Sequence, residues 1–230
     1  FLSFADDNQK YSYAASFGVA DISDVKAMQL RPLLKNFQSF SVREKSALNI
    51  VKKITGKNGV CHIDPTLLLK KDEWQKISVK KIDKPYILVF NVKPVKSLID
   101  FAEKLSKKTE IPVVYITDNP QKKRKNFTYV SAPTVEEFLG YFANADYTVT
   151  NSFHGTAFSV IFHKNMFVEY ETAKGFNHRA KNLLQTIGIN REIKDGEAVT
   201  TDIDWNKVDN ILQAERKLSL DYLKDIIKGE

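Results

Sequence analysis

The stretch Asn151-Ser-Phe-His-Gly-Thr-Ala-Phe-Ser-Val-Ile-Phe-His163 sets an imidazole, a hydroxyl and a glycine at the start of an almost wholly apolar run. Ala157, Phe158, Val160, Ile161 and Phe162 read as a buried helix, and the preceding Tyr147-Thr-Val-Thr150 reads as a strand. His154 therefore stands at a strand-to-helix corner, where open parallel sheets collect ligands and first-turn N–H groups lack intrahelical acceptors. Ser152 is placed to cap the helix, and Gly155 removes a side chain that would hold a ligand off the backbone. Such a mouth suits an anion, because backbone donors and the positive end of the helix dipole act together. It equally suits a histidine that only caps the helix or covers its surface. His163, nine residues on, is turned by roughly 180° at about 100° per residue and reads as a helix-end residue outside any shared site.

Two further places repeat this geometry. The strand Phe37 to Val42 runs straight into Arg43, whose planar guanidinium matches a carboxylate or phosphate. The plain alternative for Arg43 is a salt bridge to Glu44 or another neighbour. Asn177 and Arg179, in Gly175-Phe-Asn-His-Arg179, open a helix directly after the strand Met166 to Tyr170 and so share an edge with His154. If two such units face each other, Arg43 and His154 meet across one cleft. Arg191 reads as structural. His62 and His178 lack metal-ligand spacing with Cys61 or with paired carboxylates, so the sequence assigns no metal.

The elements that must hold these residues alternate along the chain. Strands are expected at Tyr86 to Phe90, Pro112 to Thr117, Phe127 to Val130, Tyr147 to Thr150 and Met166 to Tyr170. Helices are expected at Val95 to Lys107, after Thr134, at Phe153 to Phe162 and at His178 to Ile187. Thr134 with Glu137 has the spacing of a capping box, and Asp118-Asn-Pro120 reads as a turn. Strand-helix alternation predicts a parallel sheet covered on both faces. Upstream, helices at Asp24 to Lys35 and Glu44 to Ile54 alternate with strands at Phe37 to Val42 and Val60 to Ile63, roughly half of a doubly wound domain. Asp83-Lys-Pro85 opens the second unit, which places a boundary near 80 and two domains at 1–80 and 81–230. The last helix, Trp205 to Ile227, is expected to pack back on the first domain.

Composition narrows the function. In 230 residues, 43% hydrophobic content with 27% charged residues is that of an ordinary globular protein rather than a disordered one. A single cysteine, Cys61, allows no intrachain disulfide and fits a reducing, cytoplasmic compartment. No window approaches the roughly 20 apolar residues of a membrane span, and Phe1 to Lys10 lacks the order of a signal peptide. The net charge of +7 comes from lysines scattered among acidic residues, without a stripe interleaved with stacking aromatics, so a nucleic-acid partner is set aside. The densest basic run, Gln121-Lys-Lys-Arg-Lys125, reads either as a solvated loop or as a contact to phosphate or an anionic lipid surface.

Several blocks taken together resemble the polysaccharide pyruvyl transferases. They are Tyr11-Ser-Tyr-Ala-Ala-Ser-Phe-Gly18, Ser41-Val-Arg-Glu44, Asp64-Pro-Thr-Leu-Leu68 followed by Trp74, Ala145-Asp146 leading into Thr150-Asn-Ser-Phe-His-Gly-Thr-Ala-Phe-Ser159, and Asn177-x-Arg179 followed by Leu183-Leu184 and Gly188. The resemblance covers most of the chain. It implies an α/β fold with Rossmann-like parallel sheets of the GT-B type, the second domain complete and the first partial. Members of the family typically carry a glycine-rich segment before the first block, so the chain is expected to be a fragment.

The resemblance also implies transfer of a pyruvyl group from phosphoenolpyruvate to a sugar of a cell-surface polysaccharide or its lipid-linked precursor, forming a cyclic ketal. It requires no cofactor beyond that donor substrate. His154 is expected to handle protons, with Arg43, Ser152, Gly155, Asn177 and Arg179 around the donor. The setting would be the cytoplasm or the inner face of the membrane, with peripheral membrane contact as an accompanying expectation. The rivals are a GT-B glycosyltransferase using a nucleotide sugar and a non-catalytic glycan-binding fragment. Nothing in the sequence fixes the oligomeric state.

Overall fold

Short β-branched and aromatic runs bounded by Pro, Gly and Asp build the strands, and 3.6-residue apolar periodicity builds the helices between them. The computed structural model describes residues 1–92, 95–118, 123–172, 175–194, 196–198 and 202–228. The chain forms two units, the first made of Phe1–Leu68 with Asn206–Glu230 and the second of Leu69–Trp205. The division falls at 68/69 rather than near 80. The segment that moves across contains a helix that the sequence pattern does not signal, and its Trp74 packs edge-on against Phe158 of the second unit at 5.3 Å.

The first unit holds three parallel strands in the order β1 (Tyr11–Ala15), β2 (Ser39–Val42), β3 (Val60–Cys61). Helices α1 (Asp24–Leu34) and α2 (Lys45–Thr55) pack beside them. Ile50 and Ile54 of α2 meet Ala27 of α1, while Ala47 and Val51 meet Phe40 and Val42. Gly56 ends α2 at φ 74°, the left-handed cap that glycine adopts without strain. The last helix, α8 (Trp205–Lys228), anchors here: Tyr222 Oη donates to Ser12 O (2.9 Å) and pairs with Ser39 Oγ (2.6 Å), and Arg216 Nε donates to Leu67 O (2.7 Å).

In the second unit, α3 (Lys71–Ile77) precedes β4 (Ile87–Phe90), α4 (Lys96–Thr109), β5 (Val113–Ile116), β6 (Phe127–Val130), α5 (Val135–Asn144), β7 (Tyr147–Thr150), α6 (Phe153–Ile161), β8 (Asn165–Val168) and α7 (His178–Thr186). Two short antiparallel pairs, β9 (Glu171–Thr172) with β10 (Gly175–Phe176) and β11 (Ile193–Lys194) with β12 (Glu197–Ala198), are the remaining strands among the described residues. All five long strands are parallel, in the order β6-β5-β4-β7-β8. Side chains alternate across the sheet: Ile87 and Val89 pack with Leu98 and Ala102 of α4, whereas Phe90 meets Phe138 and Phe142 of α5. Thr134 caps α5 in the capping box its spacing predicts.

This strand order decides where a ligand belongs. The chain winds outward from β4 to β6, then returns to place β7 on the other side of β4. Between β4 and β7 lies the reversal point, and the loops leaving their carboxyl ends diverge there to open a crevice.

Candidate active site

His154 lies on that crevice. β7 ends at Thr150, Asn151-Ser152 turn, and α6 begins at Phe153 with the exposed His154 as its second residue. The corner is tightly wired. Thr150 donates its hydroxyl to Phe90 O at the end of β4 (2.5 Å), and its Oγ1 accepts from Ser152 N (3.0 Å). Ser152 caps α6, accepting the Gly155 N–H on Oγ (3.3 Å) and the Thr156 hydroxyl on its carbonyl (2.9 Å). The cap forms as the sequence predicts, on a buried Ser152.

Gly155 has a different use from the expected one. A Cβ there would meet Thr150 Oγ1 at 2.3 Å and Phe90 Cδ1 at 3.2 Å. The vacated space is filled by β7 and β4 rather than opened to a ligand, and the N–H is already taken by Ser152. Gly155 lets the helix mouth sit directly on the reversal point, the close helix-strand packing for which dinucleotide folds also use glycine.

Asn177 and Arg179 arrive at the same corner from α7. Asn177 caps α7, accepting from Ala180 N (3.2 Å), and its Nδ2 donates to Asn151 O (2.8 Å), so one amide joins the start of α7 to the β7–α6 turn. Its role is to position the turn, with both ends of the amide engaged by protein. The Arg179 guanidinium lies 5.7 Å from the centroid of the Phe153 ring, whose edge-on neighbour at 5.3 Å is the His154 imidazole. A helix N-terminus, a guanidinium and an imidazole thus gather around Phe153. The first two favour negative charge, and the imidazole brings ring nitrogens for hydrogen bonding.

Arg43 belongs to the first unit, where Asp64 receives it rather than Glu44. Glu44 is turned the other way, accepting from Ser16 Oγ (2.9 Å) and Phe17 N (3.1 Å). Asp64 is buried, which alone would raise its pKa, but bonds from Thr66 N and Oγ1 and the Arg43 charge outweigh burial and hold it below the usual carboxylate value. Arg43→Ala is expected to cost about 2 kcal/mol, the scale of a hydrogen bond to a charged partner. A carboxylate with a depressed folded pKa stabilises fully above its unfolded value and loses that contribution as pH falls through the folded one. The stability gap between wild type and variant should therefore be full near pH 7 and narrow below pH 3.8, the ordinary value for an aspartate, in urea unfolding across pH.

Likeness to known proteins extends across both units. The sequence profile of the family described as polysaccharide pyruvyl transferase matches residues 1–170. The chain belongs to the polysaccharide pyruvyl transferase family. Its fold is similar to that of a Methanocaldococcus jannaschii UDP-GlcNAc 2-epimerase solved with UDP-GlcNAc and UDP, at TM-score 0.51 and 11% identity. The likeness covers 78% of this chain and 61% of that one, so this chain spans less than two thirds of the epimerase's length. At that identity it bears on fold alone, a GT-B-like arrangement of parallel sheets. No curated protein sequence matches.

The other residues singled out in this chain have local explanations. Cys61 is half-buried and its thiol is pushed up to about 11, first by burial, which leaves it a weak nucleophile. His163 sits just past α6, stacked on Trp205 at 4.6 Å, away from the helix mouth. Arg191 is buried over the Phe167 ring at 5.7 Å, a structural placement. Of the basic run, Gln121 and Lys122 lie outside the described residues, as do Asn119 and Pro120 of the expected turn, while Arg124 is committed to Asp100 and Glu103 of α4. Among the described residues no helix is long and apolar enough to cross a membrane, and no group of three or more His, Cys, Asp or Glu stands ready for a metal.

Sequence reasoning missed Thr150. Thr150 is visible as the last strand residue before the motif, but its hydroxyl bond to β4 depends on β4 and β7 being neighbours, which a one-dimensional pattern does not disclose.

Proposed function

We propose that this transferase moves a pyruvyl group from phosphoenolpyruvate onto two hydroxyls of a sugar in a cell-surface polysaccharide or its lipid-linked precursor. The observation that carries the reading is the convergence of His154, Arg179 and the N-terminus of α6 at the sheet's reversal point. Phosphoenolpyruvate brings a carboxylate and a phosphate, and such a corner offers positive charge in fixed positions. In the proposed sequence, imidazolium at His154 gives its proton to the methylene carbon of the enol. A sugar hydroxyl then bonds to the adjacent carbon and returns its proton to the imidazole. A second hydroxyl bonds to the same carbon as the carbon-oxygen bond to phosphate breaks, and its proton leaves with the phosphate. The products are one cyclic ketal and one inorganic phosphate, and no redox partner is consumed. A cytoplasmic setting goes with this reading, since phosphoenolpyruvate is a metabolite of that compartment.

The test is incubation of the chain with phosphoenolpyruvate and a panel of glycans, read by mass spectrometry and phosphate release. Phosphate release matched mole for mole by pyruvylated glycan is expected. Turnover with nucleotide sugars and none with phosphoenolpyruvate would replace the reading by glycosyl transfer.

A further inference from the structure

Beside the helix mouth the second unit holds a cavity of about 620 Å³, at the carboxyl ends of β4 and β5 and under the start of α5. That is within the ~300–1,000 Å³ usual for small-molecule sites. Its walls include the rings of Trp74, Phe90, Phe138 and Phe158. Among its described lining residues none is basic; the polar ones include Asn91, Thr117 and Asp118.

Asn91 is the informative one. The residue is only 7% exposed, and its Oδ1 accepts from Tyr115 Oη at 2.9 Å, yet among the described residues its buried Nδ2 has no hydrogen-bond partner. A buried amide donor without an acceptor is destabilising, and a ligand oxygen would relieve it.

We propose that this cavity is the acceptor site and takes a neutral saccharide. The inference rests on the pyruvyl-transfer reading and names its second substrate's place. The lining selects the ligand class. A ligand with a phosphate or carboxylate inside the cavity would face Asp118 without a basic residue among the described walls, and a hydrocarbon tail would leave Asn91 Nδ2 unsatisfied. A sugar ring offers an apolar C–H face to the aromatic walls and oxygens to Asn91, with hydroxyl donors for Asp118. Location fits the reaction as well. Phe158 lies four residues beyond His154 and so on the same face of α6, and Phe90, whose carbonyl holds Thr150, forms another wall. A saccharide seated there is next to the helix mouth where the donor is proposed to bind.

The experiment uses the full chain and the variants Asn91→Asp and Phe138→Leu, each checked for an unchanged Tm. Asn91→Asp keeps the acceptor for Tyr115 and deletes the donor. Saturation-transfer NMR with methyl glycosides of N-acetylglucosamine, galactose and mannose, and with uridine, gives binding, while pyruvylation kinetics give separate KM values for acceptor and phosphoenolpyruvate. At least one glycoside is expected to bind wild type, about tenfold more tightly than Asn91→Asp, with a matching rise in acceptor KM and an unchanged KM for phosphoenolpyruvate. Unchanged glycoside affinity in both variants, or uridine bound in place of every glycoside, overturns the proposal. Glycoside binding lost in Asn91→Asp but no wild-type pyruvylation upholds the saccharide site and sinks the transfer reading. Wild-type pyruvylation with an acceptor KM indifferent to both variants does the reverse.

Discussion

Replacing His154 by alanine is expected to lower pyruvyl transfer by about a hundredfold to ten-thousandfold, the usual contribution of a positioned proton-transfer group, while moving Tm by only a few degrees. The two halves of that expectation have separate physical grounds. His154 is exposed, and its imidazole touches the edge of Phe153, so little burial is lost when it is truncated. The cap of α6 belongs to Ser152, and the close fit to β7 belongs to Gly155, so the helix mouth keeps its shape without the ring. What disappears is a group able to give and take a proton near neutral pH. His154→Gln separates proton transfer from charge stabilisation. Glutamine can donate a hydrogen bond but cannot shuttle a proton, so it should be as inactive as alanine if the ring moves protons, and partly active with a flattened pH-rate profile if the ring only steadies phosphate. Activity within tenfold of wild type in His154→Ala would remove this residue from the chemistry.

The residues that announce the family in the sequence are largely residues that hold one another. In the first unit, Ser41 Oγ accepts from Ala14 N (3.0 Å) and pairs with His62 Nδ1 (2.8 Å), Arg43 meets Asp64, and Glu44 meets Ser16 and Phe17. The Ser-Val-Arg-Glu block thus ties the Tyr-Ala-Ala-Ser-Phe block to the Asp-Pro-Thr block at the carboxyl ends of β1 to β3. Local spacing shows that Arg43 follows a strand, but its choice of Asp64 over Glu44 depends on β2 and β3 lying side by side. The helix mouth at Ser152 is readable because capping is local chemistry within four residues. The role of Gly155 is not readable, because its constraint comes from Thr150 and Phe90, on two different strands. Helix α3 escapes a sequence reading for a related reason: seven residues with three lysine or glutamate side chains and one tryptophan give little periodic signal, and its fold depends on what Trp74 packs against.

Gly140→Ala should be the most damaging single-methyl addition in the second unit. An ideal Cβ on Gly140 would lie 1.8 Å from Val79 O and 2.5 Å from Val79 C, and the obstacle is backbone, which cannot rotate aside as a side chain does. That backbone is pinned, since Val79 N donates to Glu136 O one turn earlier on α5 at 2.9 Å. The strain of such overpacking is about 3 kcal/mol or more, against a gain of about 1 kcal/mol from alanine's better helix propensity. The net loss of about 2 kcal/mol should lower Tm by roughly 4–8 °C for a unit of this size. The displacement has a functional echo. The segment forced off α5 is the one that brings α3 and Trp74 against Phe158, a wall of the proposed saccharide cavity. Acceptor KM should therefore rise in this variant while the KM for phosphoenolpyruvate holds, and calorimetry with steady-state kinetics on one preparation reads both. An unshifted Tm would mean that the Val79 backbone yields to a methyl group without cost, and that the close crossing at Gly140 does not fix α3 in place.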